Sequence, residues 1–106
     1  MLKGKSALIT GSTSGIGLGI ARALAGQGCN IMLNGLGDTV QIETTRTGLE
    51  AEFGTTVHYH GADMTKPDEI ADLVERTAES FGVIDILVNN AGIQHTAPIE
   101  EFPPDR

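Results

Sequence analysis

The sequence predicts an α/β fold built on a doubly wound parallel sheet, and three observations carry that reading. A glycine-rich turn, Thr10-Gly11-Ser12-Thr13-Ser14-Gly15-Ile16-Gly17, joins a short apolar run to a helical pattern. Short apolar runs then alternate with longer amphipathic segments along the chain, as in a sheet whose strands are linked by crossover helices. Each of those segments stops at a glycine, at Gly28, Gly54 and Gly82.

Taken in order, Lys5–Thr10 reads as the first strand and Ile16–Gln27 as the first helix, with Ile16, Ile20, Ala23, Leu24 and Gln27 at helical spacing. Ile31-Met32-Leu33 is a continuous apolar run, the pattern of a parallel strand covered on both faces. Thr39–Phe53 reads as the second helix, with Ile42, Leu49 and Phe53 on one face, although its threonines and Gly48 lower its helix propensity. Thr56–His60 alternates and reads as the third strand. The third helix is expected to begin at Thr65 as its cap, with Pro67 in the first turn and Asp68 as the acid of a capping box. Ile70, Leu73, Val74, Thr77, Ala78 and Phe81 form its apolar stripe. Ile84–Asn89 is the fourth strand, Asn90-Ala91-Gly92 a loop, and Ala97–Arg106 the approach to another helix.

Short connections and right-handed crossovers arrange these strands in the order 3-2-1-4. The first two helices then cover one face and the third covers the other. Strand order reverses between strands one and four, and ligands bind at such a switch point, outside the carboxyl ends of the strands. The glycine-rich turn and the Asn89–Gly92 segment both fall there. Strand four would be an apolar edge, which natural sheets rarely leave bare. Residues 1–106 are therefore expected to be a single dinucleotide-binding segment, the first half of a larger fold.

Composition narrows the function classes. The 106 residues carry 40% hydrophobic residues, 14 glycines and 4% aromatics, so the core must be built from Ile, Leu, Val and Ala. Seven basic against fourteen acidic residues give a net charge of −7, which cannot assemble a basic face for nucleic acid. The lone cysteine, Cys29, forms no intrachain disulfide, and no apolar run approaches a membrane span. A cytoplasmic location and no membrane partner are the expectations.

The turn itself has a chemistry. Gly11 permits the tight bend, Gly15 lets backbone approach a pyrophosphate, and Gly17 lets the helix pack close to the strand. The first N–H groups of the helix lack partners within it, and with the helix dipole they favour a phosphate. His58 and His60 alternate on strand three and so share a face; without a third ligand they make no metal site. His95 has no sequence neighbour that points to acid/base work.

With these motifs in place the chain resembles the short-chain dehydrogenases/reductases, whose fold is the Rossmann fold. The Thr10-Gly11-x-x-x-Gly15-x-Gly17 pattern matches that family's glycine motif, and Asn89-Asn90-Ala91-Gly92 matches its signature at the end of strand four. The resemblance implies that Gly11, Ser12, Thr13, Gly15, Ile16 and Gly17 form the pyrophosphate turn, that Asp63 and Met64 meet the adenine, and that Asn90, Ala91 and Gly92 lie along the ribose beside the nicotinamide. Within the family, Leu33–Asp38 and Gly92-Ile93-Gln94-His95 are similar to bacterial D-3-hydroxybutyrate dehydrogenases. That resemblance implies a hydroxy/keto acid as substrate, Gln94 as donor to its carboxylate, and a homo-tetramer.

Cofactor choice follows from charge. A free 2′-hydroxyl calls for a carboxylate and a 2′-phosphate for a cation. Gly35 stands where the acid is expected, yet no cation occurs at Ser14 or in Asn34–Asp38, and Leu36 can only pack against the ribose and adenine. A phosphate beside Asp38 would be costly, so NAD is the expected cofactor. The family's catalytic serine, tyrosine and lysine have no counterpart here. The single tyrosine, Tyr59, is a strand residue followed four positions on by Asp63 rather than lysine. Two other readings stay open: a family member with another alcohol or carbonyl substrate, and a non-catalytic dinucleotide-binding module.

Overall fold

In the computed structural model, which describes residues 2–90, the elements run β1 (Ser6–Ile9), α1 (Gly15–Gly26), β2 (Asn30–Asn34), α2 (Thr39–Phe53), β3 (Val57–His60), α3 (Pro67–Phe81) and β4 (Ile86–Val88). The sheet is parallel, with spatial order β3-β2-β1-β4. Ala7 pairs with Ile31 on one side and Ile86 on the other, and Ile31 pairs in turn with Val57. The readings placed on Ala91, Gly92, Gln94, His95 and Ala97–Arg106 lie outside the described residues.

Period-two alternation divides the core between the two faces of the sheet. Ala7, Ile9, Ile31, Leu33 and Val57 face α1 and α2, and pack with Ala21, Ala25 and Leu49. Leu8 and Met32 face the other way, against Leu73 of α3. The same alternation sends His58 and His60 away from Tyr59. Cys29 is buried among the α1- and α2-facing group, where burial pushes its thiol upward from the ordinary range.

Two sequence expectations are corrected. Of the predicted α1 stripe, Ile20 and Leu24 pack against the core, but Ile16 (67% exposed), Ala23 and Gln27 face outward; the buried centre of the face is Gly17, Ala21 and Ala25, with Leu18 beside it. The sheet takes the smallest side chains because they allow the closest approach of helix to strand. Nor does Thr65 cap α3. The N-cap is Lys66, which makes no side-chain cap bond, and Thr65 instead donates from both its N–H and its hydroxyl to the Asp63 carboxylate at 2.9 and 2.7 Å. Asp63 competes successfully because an Asp side chain reaches the amide two residues on.

The β3 edge is covered by side chains of α2. The Val57 N–H and C=O point away from β2. Glu50 Oε2 accepts from the Val57 N–H at 2.9 Å, and Arg46 Nη1 donates to the Val57 carbonyl at 2.9 Å. Arg46 is also paired with Glu43 and Glu50. One turn of helix thus supplies the donor and acceptor that a neighbouring strand would offer.

Candidate functional site

The carboxyl ends of the four strands bring together residues 10–17, 34–38, 60–65 and 89–90, which are far apart in sequence. The polypeptide turns at Gly11 (φ 62°) and again at Gly15 (φ 61°), a left-handed conformation that side chains disfavour. At Gly15 the space a Cβ would enter is open. Ser14 is the N-cap of α1 but makes no side-chain cap bond. The helix start therefore faces an unobstructed turn, the arrangement a phosphate requires.

Asn34, at the end of β2, ties this turn to the loop after β3. Its Oδ1 accepts from the Gly11 N–H at 3.1 Å, and its Nδ2 donates to the carbonyls of His60 (3.1 Å) and Ala62 (3.0 Å). The local sequence pattern gives Asn34 no role of its own. The usable signal was its place in the predicted strand order: the end of the second strand lies between the loops following the first and third.

Ser12 sits within the turn as an internal strut. Its hydroxyl donates to the Ile9 carbonyl at 2.7 Å and accepts from the Asn34 N–H at 2.9 Å, and its own N–H donates to the Asn34 carbonyl. Ser12 is fully buried, so it contributes its backbone position rather than its hydroxyl. From the opposite side, Asn90 is fully buried and its Nδ2 donates to the Gly11 carbonyl at 3.0 Å. Asn89 Oδ1 accepts from the Thr10 hydroxyl at 3.2 Å. A Cβ on Gly17 would lie 2.1 Å from the Gly11 carbonyl oxygen and 2.6 Å from Asn90 Nδ2, so only glycine permits this three-way contact.

The end of β2 explains its missing acid. A Cβ on Gly35 would fall 2.2 Å from Thr13 Oγ1 and 2.9 Å from Thr13 Cγ2. Thr13 thus occupies the space that a side chain at 35 would need. Tyr59 fixes the same residue from below, its hydroxyl donating to the Gly35 carbonyl at 2.5 Å, and burial raises its pKa from the ordinary phenol value. Tyr59 is therefore a structural donor with a protonated phenol. Leu36 is 66% exposed beside a cavity of about 410 Å³ lined by Thr13, Ser14, Gly37, Asp38 and Gln41. Asp38 caps α2 there by accepting from the Val40 N–H.

Beyond β3, Asp63 and Met64 lie at the mouth of the same end. Hydrogen bonds from the Thr65 hydroxyl and N–H, helped by Lys66, hold the Asp63 carboxyl below its usual range, so it stays ionised. The Asp63 N–H donates to Glu69 Oε1 at 2.8 Å. Met64 packs beside the α3-facing core. His58 and His60 do share a face, but they are engaged separately: His58 meets Phe81 edge-on at 5.3 Å between ring centroids, and His60 pairs with Asp72 at 2.6 Å. No helix among the described residues is long and apolar enough to cross a membrane.

Comparison with known proteins agrees with this geometry. The family model described as short chain dehydrogenase matches residues 5–106. The chain is 58% identical to a D-beta-hydroxybutyrate dehydrogenase of Cupriavidus necator over 108 residues, which is 100% of this chain and 40% of that protein. It is 54% identical to the D-beta-hydroxybutyrate dehydrogenase of Rhizobium meliloti, covering 96% of this chain and 40% of the relative. Among solved structures, L-sorbose reductase from Gluconobacter frateurii complexed with NADPH and L-sorbose superposes with a TM-score of 0.79 at 38% identity, over 92% of this chain and 39% of that one. The chain thus spans about two fifths of the length of the relatives it matches.

Proposed function

The chain belongs to the short-chain dehydrogenase family, and from that premise we propose that residues 1–106 are the cofactor-binding segment of an NAD-dependent dehydrogenase that interconverts D-3-hydroxybutyrate and acetoacetate. The observation that carries the reading is the joining of the glycine-rich turn to its neighbouring loops by Asn34 and Asn90, around an open Gly15. The turn from Gly11 to Gly17 would hold the pyrophosphate, through Ser12, Gly15, Ile16 and Gly17. Thr13 and Leu36 would border the adenosine ribose, Asp63 and Met64 the adenine, and Asn90, Ala91 and Gly92 the nicotinamide side. Gln94 would donate to the substrate carboxylate, as an amide can.

When bound, NAD supplies the hydride-accepting ring, and the chain supplies orientation. Preference for NAD over NADP rests on the end of β2. Thr13 fills the space over Gly35, Asp38 places a carboxylate at the adjoining cavity, and the lining residues include no cation to neutralise a 2′-phosphate. The test is oxidation of D-3-hydroxybutyrate by the protein that carries this segment, with each cofactor in turn. Turnover with NAD at lower KM than NADP supports the reading; NADP preference removes the charge argument. The 43% identity to gluconate 5-dehydrogenase of Gluconobacter oxydans favours a sugar acid as second reading. In that case gluconate is oxidised in preference, and Gln94→Ala leaves the KM for 3-hydroxybutyrate unchanged.

A further inference from the structure

We propose that His60 is a positioning residue for the adenine-facing loop 61–64, acting through the Ala62 N–H, and that it makes dinucleotide affinity depend on imidazole protonation. The proposal rests on the dinucleotide reading above. His60 ends β3 and its imidazole spans two elements. Its Nδ1 accepts from the Ala62 N–H at 3.1 Å, and its Nε2 lies 2.6 Å from Asp72 Oδ2 on α3. A nitrogen that accepts a hydrogen bond carries no proton, so this network assigns the neutral tautomer with Nε2–H donating to Asp72. The ring is largely enclosed, its side chain 19% exposed.

The loop it serves is held group by group. Asn34 takes the Ala62 carbonyl, Glu69 takes the Asp63 N–H, and Asp63 takes the Thr65 N–H. The Ala62 N–H is His60's share of this chain of bonds. A second proton on the ring would set Nδ1–H against the Ala62 N–H, two donors face to face, and the bond would be lost. The next residues are Asp63 and Met64, so the loss falls on the adenine side of the site. Among the described residues, the charged side chain that meets the His60 ring is Asp72 on α3, with Arg76 Nε of the same helix 3.9 Å from the Asp72 carboxylate; Glu69 of α3 and Asp63 of the loop are bonded to each other, Glu69 accepting from the Asp63 N–H. From β2 it meets Asn34, which does not titrate, and His58 on its own strand is turned to Phe81.

The experiment measures equilibrium binding of NAD, and of nicotinamide mononucleotide, which lacks the adenosine half, to the protein carrying this segment. It runs from about pH 8 to about pH 5.5, across the range in which imidazoles titrate. The unmodified protein is expected to lose about tenfold in NAD affinity over that range, the equivalent of one lost hydrogen bond. Asn Oδ1 can stand where Nδ1 stands and cannot take a proton, so His60→Asn should keep high affinity and flatten the profile. His60→Leu should bind NAD about tenfold more weakly at both ends of the range. Mononucleotide binding should change in none of these cases. A His60→Asn profile that still falls with acid, or mononucleotide binding that falls in step with NAD, would overturn the proposal. If His60→Leu does not fold, His60→Asn decides alone. Failure of the unmodified protein to bind NAD at pH 8 would instead overturn the dinucleotide reading itself, and this proposal with it.

Discussion

Asn90 reaches back across 79 positions of sequence to donate its side-chain amide to the Gly11 carbonyl at 3.0 Å, and Gly17 lies against both. The signature at the end of β4 and the glycine-rich turn are thus one physical object. Their spacing in sequence is set by the need for a β1–β4 neighbour pair, and the third glycine by the absence of room for a methyl group.

Gly17→Ala should accordingly be costly. Its methyl would press on backbone oxygen rather than on a movable side chain, so α1 must shift from the sheet. We expect a loss of about 1–3 kcal/mol, the cost of overpacking a filled site, read as a lowered midpoint in urea unfolding. An unchanged midpoint would show that the turn can relax.

Asn34→Leu removes one acceptor and two donors at the junction of the two loops. At about 1 kcal/mol for each hydrogen bond, a destabilisation near 3 kcal/mol is expected. Weakened NAD binding should accompany it, measured by titration under conditions where the variant remains folded. Retained stability together with retained binding would deny Asn34 its joining role.

Gly35 and Thr13 should show coupling. Gly35→Ala alone forces its methyl onto Thr13 Oγ1, and Thr13→Ala removes the clashing atoms. A double-mutant cycle should return about 1 kcal/mol of favourable interaction, in the range for residues that share space. Additive effects would mean that something other than Thr13 keeps position 35 small.

The Asp63 carboxyl is held below its ordinary range first by the Thr65 hydroxyl and then by the Thr65 N–H. A folded pKa below the unfolded one contributes stability that is fully present above the ordinary carboxylate range, about pH 4, and is lost as pH falls through the lowered folded value. Asp63→Asn should therefore flatten part of the decline in melting temperature below about pH 4 and leave its shape above that pH unaltered. An identical acid limb in variant and parent would refute this assignment.

At the β3 edge, Glu50→Ala strips the Val57 N–H of its acceptor while Arg46 still holds the carbonyl. We expect a loss of about 1–3 kcal/mol, the cost of an unpaired polar group, and faster growth of light scattering at raised protein concentration as the freed edge pairs between molecules. A variant that scatters no more than the parent would mean that Arg46 suffices.

The sequence by itself determined what depends on local periodicity and on chain connectivity. Alternating apolar runs and glycine stops placed the elements, crossover handedness ordered the strands, and the glycine spacing marked the turn. Those signals are local, and each residue reports its own contribution. Only the tertiary structure decided which side chains turn inward. It made Ser12 an internal strut, Asn34 a tie between loops and Thr13 the occupant of the space over Gly35, and it gave the sheet-facing side of α1 to Gly17, Ala21 and Ala25 rather than to Ile16. Thr65 gave up the cap of α3 to bond Asp63 for the same reason. A hydrogen-bond direction or a steric exclusion is a relation between residues that meet only when distant loops converge, so no single stretch of the chain carries it.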